Sequence, residues 1–164
     1  MSVYRGRLKV PRKRLGIVVS RFNEFITQRL LTSALETLES AGVREKNISV
    51  IWVPGALEVP QFCKKLAQRS FDAIIALACV LRGGTHHFEC VSGEITRGIS
   101  QVALETGVPI ATGVITANTL EEAIERAGMK AGNKGAQAAL AALEIADLNR
   151  RLQNKKHQGQ RKRK

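Results

Sequence analysis

FDAIIALACVL, at residues 71–81, is the most apolar stretch of the chain and is followed at once by the turn residues RGGT at 82–85. A short aliphatic run that ends in glycines is typical of a strand buried on both faces of a sheet. Shorter runs of the same kind lie at 15–20, 48–53 and 110–116. We therefore predict four strands, with 71–81 in the centre of the sheet.

Apolar residues at helical spacing fill the intervals between these strands. The predicted helices cover 25–41, 57–67, 86–106, 118–128 and 133–152. Asn118 and Glu121 have the spacing of a capping pair at the start of the fourth helix. Alternating strands and helices favour right-handed crossovers and a parallel sheet with helices on both faces. The predicted fold is therefore α/β, a three-layer αβα, flavodoxin-like arrangement of a four-stranded parallel sheet, with a short N-terminal extension.

The composition is that of a soluble domain with an aliphatic core. Apolar residues make up 44% of the 164 residues and aromatic residues only 4%, so Ala, Val, Ile and Leu must form the core. No apolar run approaches the roughly 18 residues that span a bilayer, and no signal-peptide hydrophobic region follows the basic N-terminus. Cys63, Cys79 and Cys90 are odd in number and far apart, which argues against disulfides and zinc ribbons. A cytoplasmic protein with reduced thiols is expected.

The net charge of +12 is concentrated at the two ends of the chain. Residues 1–14 carry six Lys or Arg and residues 150–164 carry eight, with no acidic residue in either segment. These fourteen positive charges exceed the net charge by two, which leaves residues 15–149 at −2. We predict a basic N-terminal extension at 1–14, one domain at 15–152 and a basic disordered tail at 153–164. Weak, salt-sensitive contact of the tail with polyanions is expected.

Functional residues are expected where the carboxyl ends of the parallel strands meet, because ligands bind at that edge. The turns predicted there are 21–23, 53–58, 82–88 and 115–118. Gly83-Gly84-Thr85 precedes a helix N-terminus and is either a seat for an anion or phosphate or simply a turn. It has neither the G-x-G-x-x-G nor the P-loop pattern, so neither a dinucleotide nor an ATP site is indicated.

His86 and His87 begin the helix that follows, where the helix dipole disfavours a charged imidazole. Each is either a proton-transfer group or an exposed capping histidine. A thiolate–imidazole pair of Cys90 with His87 is a third interpretation, and a zinc site of both histidines with Glu89 and Cys90 is a fourth. Neither of these last two has the spacing of an established motif.

Other candidate residues have a functional and a structural interpretation. Phe22 is either a stacking platform for a flat heterocycle or a lid on the core. Glu58 either accepts hydrogen bonds from a polyol or complements a helix N-terminus. Arg126 and Lys134 are either a phosphate-binding pair or two solvated charges.

Five blocks of sequence are similar, in order, to one known family. They are GIVVSRFN (16–23), VPGALEVP (53–60), LRGGTHHFE (81–89), GVITANTLEEAIERAG (113–128) and GNKGAQAALAALEIADL (132–148). Together they resemble the 6,7-dimethyl-8-ribityllumazine synthases of riboflavin biosynthesis, over about residues 15–152. The resemblance implies a transferase that condenses 5-amino-6-(D-ribitylamino)uracil with 3,4-dihydroxy-2-butanone 4-phosphate, without cofactor or metal.

The resemblance also implies roles for individual residues. His87 corresponds to the catalytic histidine, Phe22 stacks on the pyrimidine ring and Glu58 binds the ribityl chain. Gly84-Thr85 seats the phosphate and Arg126 pairs with its charge. The other substrate-binding positions that the resemblance implies are Asn23, Ala56, Leu57, Cys79, Val80, Leu81, Thr112 and, in a supporting role, Lys134.

Three positions depart from the pattern of the family. Thr112 stands where many members have a Phe that reaches a neighbouring subunit's site, Gln137 stands where Glu is frequent, and Cys90 replaces a common Tyr. The first two support a rival interpretation, a catalytically weak shell-forming or flavin-binding relative of the same fold. The basic ends of the chain support another, a nucleic-acid-binding α/β protein.

The resemblance further implies an assembly. Family members form pentamers with active sites between adjacent subunits, and many pack twelve pentamers into a hollow icosahedral shell. A homopentamer with small-molecule substrates and no membrane contact is therefore expected. The turn at 128–132 is too short to obstruct shell closure, which favours a 60-subunit shell over a free pentamer or decamer.

Overall fold

The sheet in this computed structural model consists of four parallel strands. They are β1 (Leu15–Ser20), β2 (Ile48–Val53), β3 (Ala73–Leu81) and β4 (Ile110–Ala117), in the spatial order β2-β1-β3-β4. The structure describes residues 1, 3–8, 13–130 and 132–161, with the backbone alone for 154–161. Lys9 and Arg12 of the basic extension and Ala131 of the 128–132 turn lie outside the described residues.

Helices cover both faces of the sheet, as predicted. They are α1 (Glu24–Ser40), α2 (Val59–Ala67), α3 (His87–Thr106), α4 (Leu120–Arg126) and α5 (Lys134–Arg161), with a 3-10 turn at Glu45–Asn47. Buried residues of α1, α4 and α5 form one core with the sheet, and those of α2 and α3 form a second core on its other face. The three-layer αβα fold is therefore confirmed. Within the described part of the chain, no helix is both long and apolar enough to cross a membrane.

The two central strands are the most deeply buried elements. All six residues of β1 are buried, and β3 is buried from Ala73 to Val80. Their side chains are almost all aliphatic, and each fully buried Leu or Ile stabilises the fold by about 1.5–3 kcal/mol. The predicted central position of the most apolar stretch is confirmed.

The strand order creates a crevice at one end of the sheet. From β1 the chain passes through α1 to β2 on one side, and it then returns through α2 to β3 on the other side of β1. The connections that leave the carboxyl ends of β1 and β3 therefore diverge. In open parallel sheets this divergence leaves the space in which ligands bind.

The first turn of α5 packs directly on the backbone of α1. A Cβ built on Gly135 would lie 2.6 Å from the carbonyl carbon and 2.8 Å from the Cα of Leu30. Asn133 fixes this turn, because its Oδ1 accepts the N–H groups of Gly135 at 2.7 Å and Ala136 at 3.2 Å. Its Nδ2 donates to the carbonyl of Ala127 at 2.8 Å. The Asn-Lys-Gly sequence is thus a helix-capping and close-packing motif.

The N-terminal segment contacts the body of the protein through Lys13 and the backbone of Arg7, although most of its other described residues are exposed. Lys13 is buried, and its Nζ lies 2.8 Å from Oδ1 of Asp72 and 3.3 Å from the carbonyl oxygen of Ala146. The N–H of Arg7 donates to the buried carboxylate of Asp147 at 3.1 Å. A count of local charges cannot reveal these partners, because they come from distant elements of the chain.

β3 begins at Ala73 rather than at Phe71 because the two preceding residues are held by the N-terminal segment. The guanidinium of Arg14 lies 5.1 Å from the centre of the Phe71 ring. The carboxylate of Asp72 pairs with Lys13 and also accepts the N–H of Arg14 at 2.8 Å. These contacts place Phe71 and Asp72 before the sheet rather than in it.

The capping pair of α4 is shifted by one residue from the prediction. Thr119, not Asn118, is the N-cap, and its Oγ1 accepts the N–H of Glu122 at 3.2 Å. Oε2 of Glu122 accepts the N–H of Asn118 at 2.9 Å. Thr119 and Glu122 have the same spacing as Asn118 and Glu121, so the sequence pattern allows either start.

The final helix extends beyond its predicted end at 152. α5 continues to Arg161, so the backbone of 153–161 is helical where a disordered tail was predicted. That prediction rested on the lack of apolar residues, which limits burial but does not prevent a helix. Gln, Lys and Arg all have favourable helix propensities. The last three basic residues, 162–164, lie outside the described residues.

Candidate functional site

Hydrogen bonds hold the turns at the carboxyl edge of the sheet together. The N–H groups of Arg21-Phe22 donate to the carbonyls of Val53-Pro54 at 2.8 and 3.0 Å. The N–H of Arg82 donates to the carbonyl of Ala117 at 2.9 Å. These bonds join the four turns in two pairs, and the bond from Nδ2 of Asn23 to the carbonyl of Cys79 connects the pairs into one rim.

This rim surrounds a cavity of about 380 Å³, a volume in the usual range for small-molecule sites. It is lined by the last residues of β3, by the turns after β1, β2 and β3, and by the first turns of α3. They belong to Phe22, Gly55, Ala56, Leu57, Glu58, Cys79, Val80, Leu81, Gly83, Thr85, His87, Phe88 and Val91.

The cavity brings together most of the residues predicted for the site. Those that line it are Phe22, Ala56, Leu57, Glu58, Cys79, Val80, Leu81, Thr85 and His87. The predicted residues that lie outside it are Asn23, Gly84, Thr112, Arg126 and Lys134. The first two are neighbours of lining residues, whereas the last three are on other parts of the chain.

Phe22 presents its ring at the mouth of the cavity. Its side chain is 71% exposed, so it does not form a lid on the core. An aromatic ring in this position has a large face available for a flat ligand. The geometry favours the stacking-platform interpretation.

Asn23 supports the turn that carries Phe22. It has a left-handed backbone with φ of 58°, and its Nδ2 donates to the carbonyl of Cys79 at 2.9 Å. Asparagine tolerates this conformation better than most residues. Its side chain therefore joins the turn after β1 to the end of β3, which is a supporting role rather than a lining one.

Glu58 closes the turn before α2. Its Oε2 accepts the N–H of Gly55 at 2.8 Å, and this turn is the reason that α2 begins at Val59 rather than at Leu57. The carboxylate also lines the cavity. The position of Glu58 is therefore compatible with a role in the turn before α2 and with a role in binding a polyol. Oε2 accepts a hydrogen bond within the turn, while the carboxylate as a whole faces the cavity.

His87 is the first residue of α3 and is exposed on the wall of the cavity. Its N–H lies 3.4 Å from Oγ1 of Thr85. A Cβ on Gly83 or Gly84 would meet nothing within 4 Å, so the glycine turn leaves open space beside the helix N-terminus. An anion placed there would face the positive end of the dipole of a 20-residue helix.

His86 has a different position from its neighbour. It occupies the N-cap position of α3 without a side-chain capping hydrogen bond, and it lies outside the cavity. Of the two adjacent histidines, only His87 is therefore placed to exchange a proton with a molecule in the cavity.

The cysteines do not offer a nucleophile to the cavity at neutral pH. Burial raises the pKa of the lining Cys79 thiol to about 11 and that of Cys63 to about 12, so both are protonated thiols. Cys90 is exposed and lies outside the cavity. No three His, Cys, Asp or Glu side chains in the described part of the chain form a group that could hold a metal ion.

Three predicted substrate-binding residues lie away from the cavity. Thr112 is exposed on the edge strand β4. One guanidinium nitrogen of Arg126 lies 3.3 Å from the carbonyl of Glu122, and Nζ of Lys134 lies 3.0 Å from Oε1 of Gln137. In one chain all three residues are exposed.

Three lining residues, Gly55, Phe88 and Val91, were not named as candidates in the sequence, and Gly83 was named only as part of the glycine turn. All four contribute backbone or apolar surface rather than reactive groups. Gly55 and Phe88 lie in turns that were predicted at this edge of the sheet. Val91 follows His87 by four residues, so helical spacing could have placed it on the same face.

The chain matches the family model described as 6,7-dimethyl-8-ribityllumazine synthase over residues 12–150. The matched region includes all four strands, α1 to α4, most of α5 and every residue that lines the cavity.

Proposed function

The chain belongs to the 6,7-dimethyl-8-ribityllumazine synthase family, and we propose that it is a transferase of riboflavin biosynthesis that makes 6,7-dimethyl-8-ribityllumazine. The substrates are 5-amino-6-(D-ribitylamino)uracil and 3,4-dihydroxy-2-butanone 4-phosphate, and the other products are phosphate and water. The observation that supports this proposal is the joint position of Phe22 and His87 on the walls of one cavity.

The proposed chemistry requires orientation and proton transfer. The amine of the pyrimidine attacks the ketone, and one water leaves as a Schiff base forms. Phosphate is then eliminated, and the second amine closes the ring on the ketone that results, with loss of a second water. No step transfers electrons to or from an external group, so the reaction needs no redox cofactor. Correct orientation of two reactants contributes up to about 7–11 kcal/mol, and a placed acid or base contributes about 10²–10⁴-fold.

Three of the lining residues then have defined roles. Phe22 stacks on the pyrimidine ring, Glu58 accepts hydrogen bonds from the ribityl hydroxyls and His87 transfers protons. The phosphate lies beside Gly84-Thr85 at the N-terminus of α3. The exposure of Phe22 and the open space at the glycine turn support these assignments.

The experiment that tests the function is direct. Purified protein with both substrates should form lumazine, which is followed by its absorbance, and release phosphate in equal amount. The alternative is a catalytically weak shell-forming or flavin-binding relative, favoured by Thr112 and Gln137. Absence of product with both substrates present would establish that alternative.

We propose that a neighbouring subunit completes the site. Three predicted site residues lie outside the cavity of their own chain: Thr112, Arg126 and Lys134. In a homopentamer they would face the cavity of an adjacent chain. The larger assembly that we propose is a shell of 60 subunits. Subunit contacts would also cover apolar residues that are exposed in a single chain. Examples are Phe25 at 61%, Leu104 at 86% and Met129 at 63% exposure.

Complementation between two inactive variants tests this sharing of the site. Phe22→Ala and Arg126→Ala should each reduce lumazine formation, but their co-expressed mixture should regain activity. In a ring of identical contacts, about a quarter of the sites would then combine an intact Phe22 with an intact neighbouring Arg126. Product formation per subunit is the measurement.

The matched control is the pair Phe22→Ala and His87→Ala. Both residues line the cavity of one chain, so mixing these variants cannot restore a complete site. Recovery in this control, or no recovery in the test pair, would show that Arg126 does not act in a neighbour's site.

We also propose that the protein is located in the cytoplasm, which its three free thiols support.

We further propose that the basic end of α5 binds polyanions weakly. The helix that continues to Arg161 and the absence of acidic residues after 149 support this proposal. Affinity for a mixed-sequence oligonucleotide should fall by about tenfold or more between 50 and 200 mM salt. It should be lost when residues 153–164 are removed; tight binding that survives this truncation would contradict the proposal.

A further inference from the structure

Arg82 connects three elements around the cavity without lining it. It is the first residue after β3, and its backbone N–H donates to the carbonyl of Ala117. Its Nε donates to Oδ1 of Asn118 at 2.8 Å. The same guanidinium pairs with the carboxylate of Glu89 and lies 4.3 Å from the centre of the Phe88 ring.

The partners of Arg82 in α3 are the two residues that directly follow His87. Phe88 and Glu89 belong to the first turn of that helix, so the guanidinium holds the turn at two adjacent points. The hydrogen bond from Arg82 lowers the pKa of the Glu89 carboxyl, as expected for a carboxylate that accepts from a guanidinium. The orientation of the turn also determines where the His87 imidazole lies.

The segment between Arg82 and His87 has little packing of its own. Neither Gly83 nor Gly84 has an atom within 4 Å of the position of a Cβ. Two adjacent glycines also leave the backbone much conformational freedom. The hydrogen bond from the N–H of His87 to Oγ1 of Thr85 is long, at 3.4 Å. Order in this segment must therefore come from contacts at its ends, and Arg82 provides those at one end.

We propose that Arg82 is a positioning residue for His87: its contacts with Asn118, Phe88 and Glu89 fix the first turn of α3 so that the imidazole meets the substrates. This inference rests on the proposed function, in which His87 transfers protons. A planar guanidinium can donate to two partners while it stacks on a ring, which a lysine ammonium cannot do.

Kinetics of Arg82→Ala test the proposal. We expect kcat to fall by about 10- to 100-fold, because a displaced catalytic group loses orientation, while KM for both substrates stays within about twofold. Arg82→Lys, which retains the charge but not the planar fork, should lie between the wild type and Arg82→Ala. A loss confined to KM, or no loss at all, would overturn the proposal.

The His87→Ala background separates positioning from a general structural role. If Arg82 acts through His87, adding Arg82→Ala to His87→Ala should reduce kcat no further. If the two losses multiply, Arg82 acts independently and the proposal is wrong. Lys64→Ala is the matched control. Lys64 in α2 forms an ion pair with Glu105 at the far end of α3, and this pair is about as exposed as the pair of Arg82 with Glu89. This control should leave kcat unchanged.

A measurement without turnover distinguishes failure of this proposal from failure of the proposed function. Hydrogen–deuterium exchange of the backbone over residues 83–90 should be several-fold faster in Arg82→Ala than in the wild type and unchanged in Lys64→Ala. Unchanged exchange in Arg82→Ala overturns the positioning role. If wild-type protein forms no lumazine but exchange changes as expected, the proposed function fails while the ordering of the His87 turn by Arg82 stands.

Discussion

Replacement of Gly135 by alanine should destabilise the protein by about 3 kcal/mol or more, which for a chain of this size lowers the apparent Tm by roughly 6–12 °C. The added methyl group would lie 2.6 Å from the carbonyl carbon and 2.8 Å from the Cα of Leu30, distances that real Cβ atoms essentially never show. Backbone atoms inside a helix cannot rotate away as a side chain can. Relief of the clash would require α5 to move away from α1, which would open the core between them.

Gly93→Ala is the control for this prediction. Gly93 is also helical, in α3, but a Cβ there would meet nothing within 4 Å. Alanine should therefore stabilise α3 by about 0.5–1 kcal/mol, because glycine loses more backbone entropy in a helix. Thermal unfolding of both variants is the measurement. A Gly135→Ala protein as stable as the wild type would mean that the two helices are not as close as the structure shows.

Replacement of His87 by alanine should lower kcat for lumazine formation by about 10²-fold, the lower end of the range for a general acid or base. His87 lies on the cavity wall at the start of α3, where a proton donor or acceptor can reach the reacting amine and carbonyl groups. We expect considerable residual activity, because Phe22 and the glycine turn still orient the substrates. KM should change little, since the imidazole is not a major binding surface.

His86→Ala provides the matched control. The neighbouring histidine has a similar exposure but lies outside the cavity and makes no side-chain capping hydrogen bond. Its removal should leave kcat within about twofold of the wild-type value, since a side chain outside the cavity does not reach the reacting groups. If wild-type protein forms product and His87→Ala is equally fast, the assignment of His87 is wrong.

Local pattern was a reliable guide to the elements of the fold. The apolar run of β3, the helical spacing in α1 and the glycine turn after β3 each depend on neighbours within a few residues. The same holds for the placement of Phe22 and His87 at one edge, since parallel strands bring their carboxyl ends together. Chain ends and element starts were less well predicted, because side chains from elsewhere decide them.

The Lys13 pair shows the limit of local pattern. Read along the chain, Lys13 belongs to a basic segment and is expected in solvent. In the fold, Asp72 and the Ala146 carbonyl surround it, and a buried ion can be tolerated only with such partners. Glu58 and Asn118 are similar cases. The side chain of Glu58 accepts the N–H of Gly55, and that of Asn118 accepts from Arg82. Neither partner can be predicted from the residues that flank Glu58 or Asn118 in the sequence.

By itself, the sequence determined that this protein is a parallel α/β domain with a glycine turn and His87 at the carboxyl edge of its central strand. Periodicity, turn residues and helix starts carry that information locally. Tertiary structure alone decided that Gly135 contacts the backbone of Leu30, that Arg82 holds the His87 turn, and that Arg126 lies outside the cavity of its own chain. The physical reason is that these features depend on distances between residues that are far apart along the chain, and packing sets those distances.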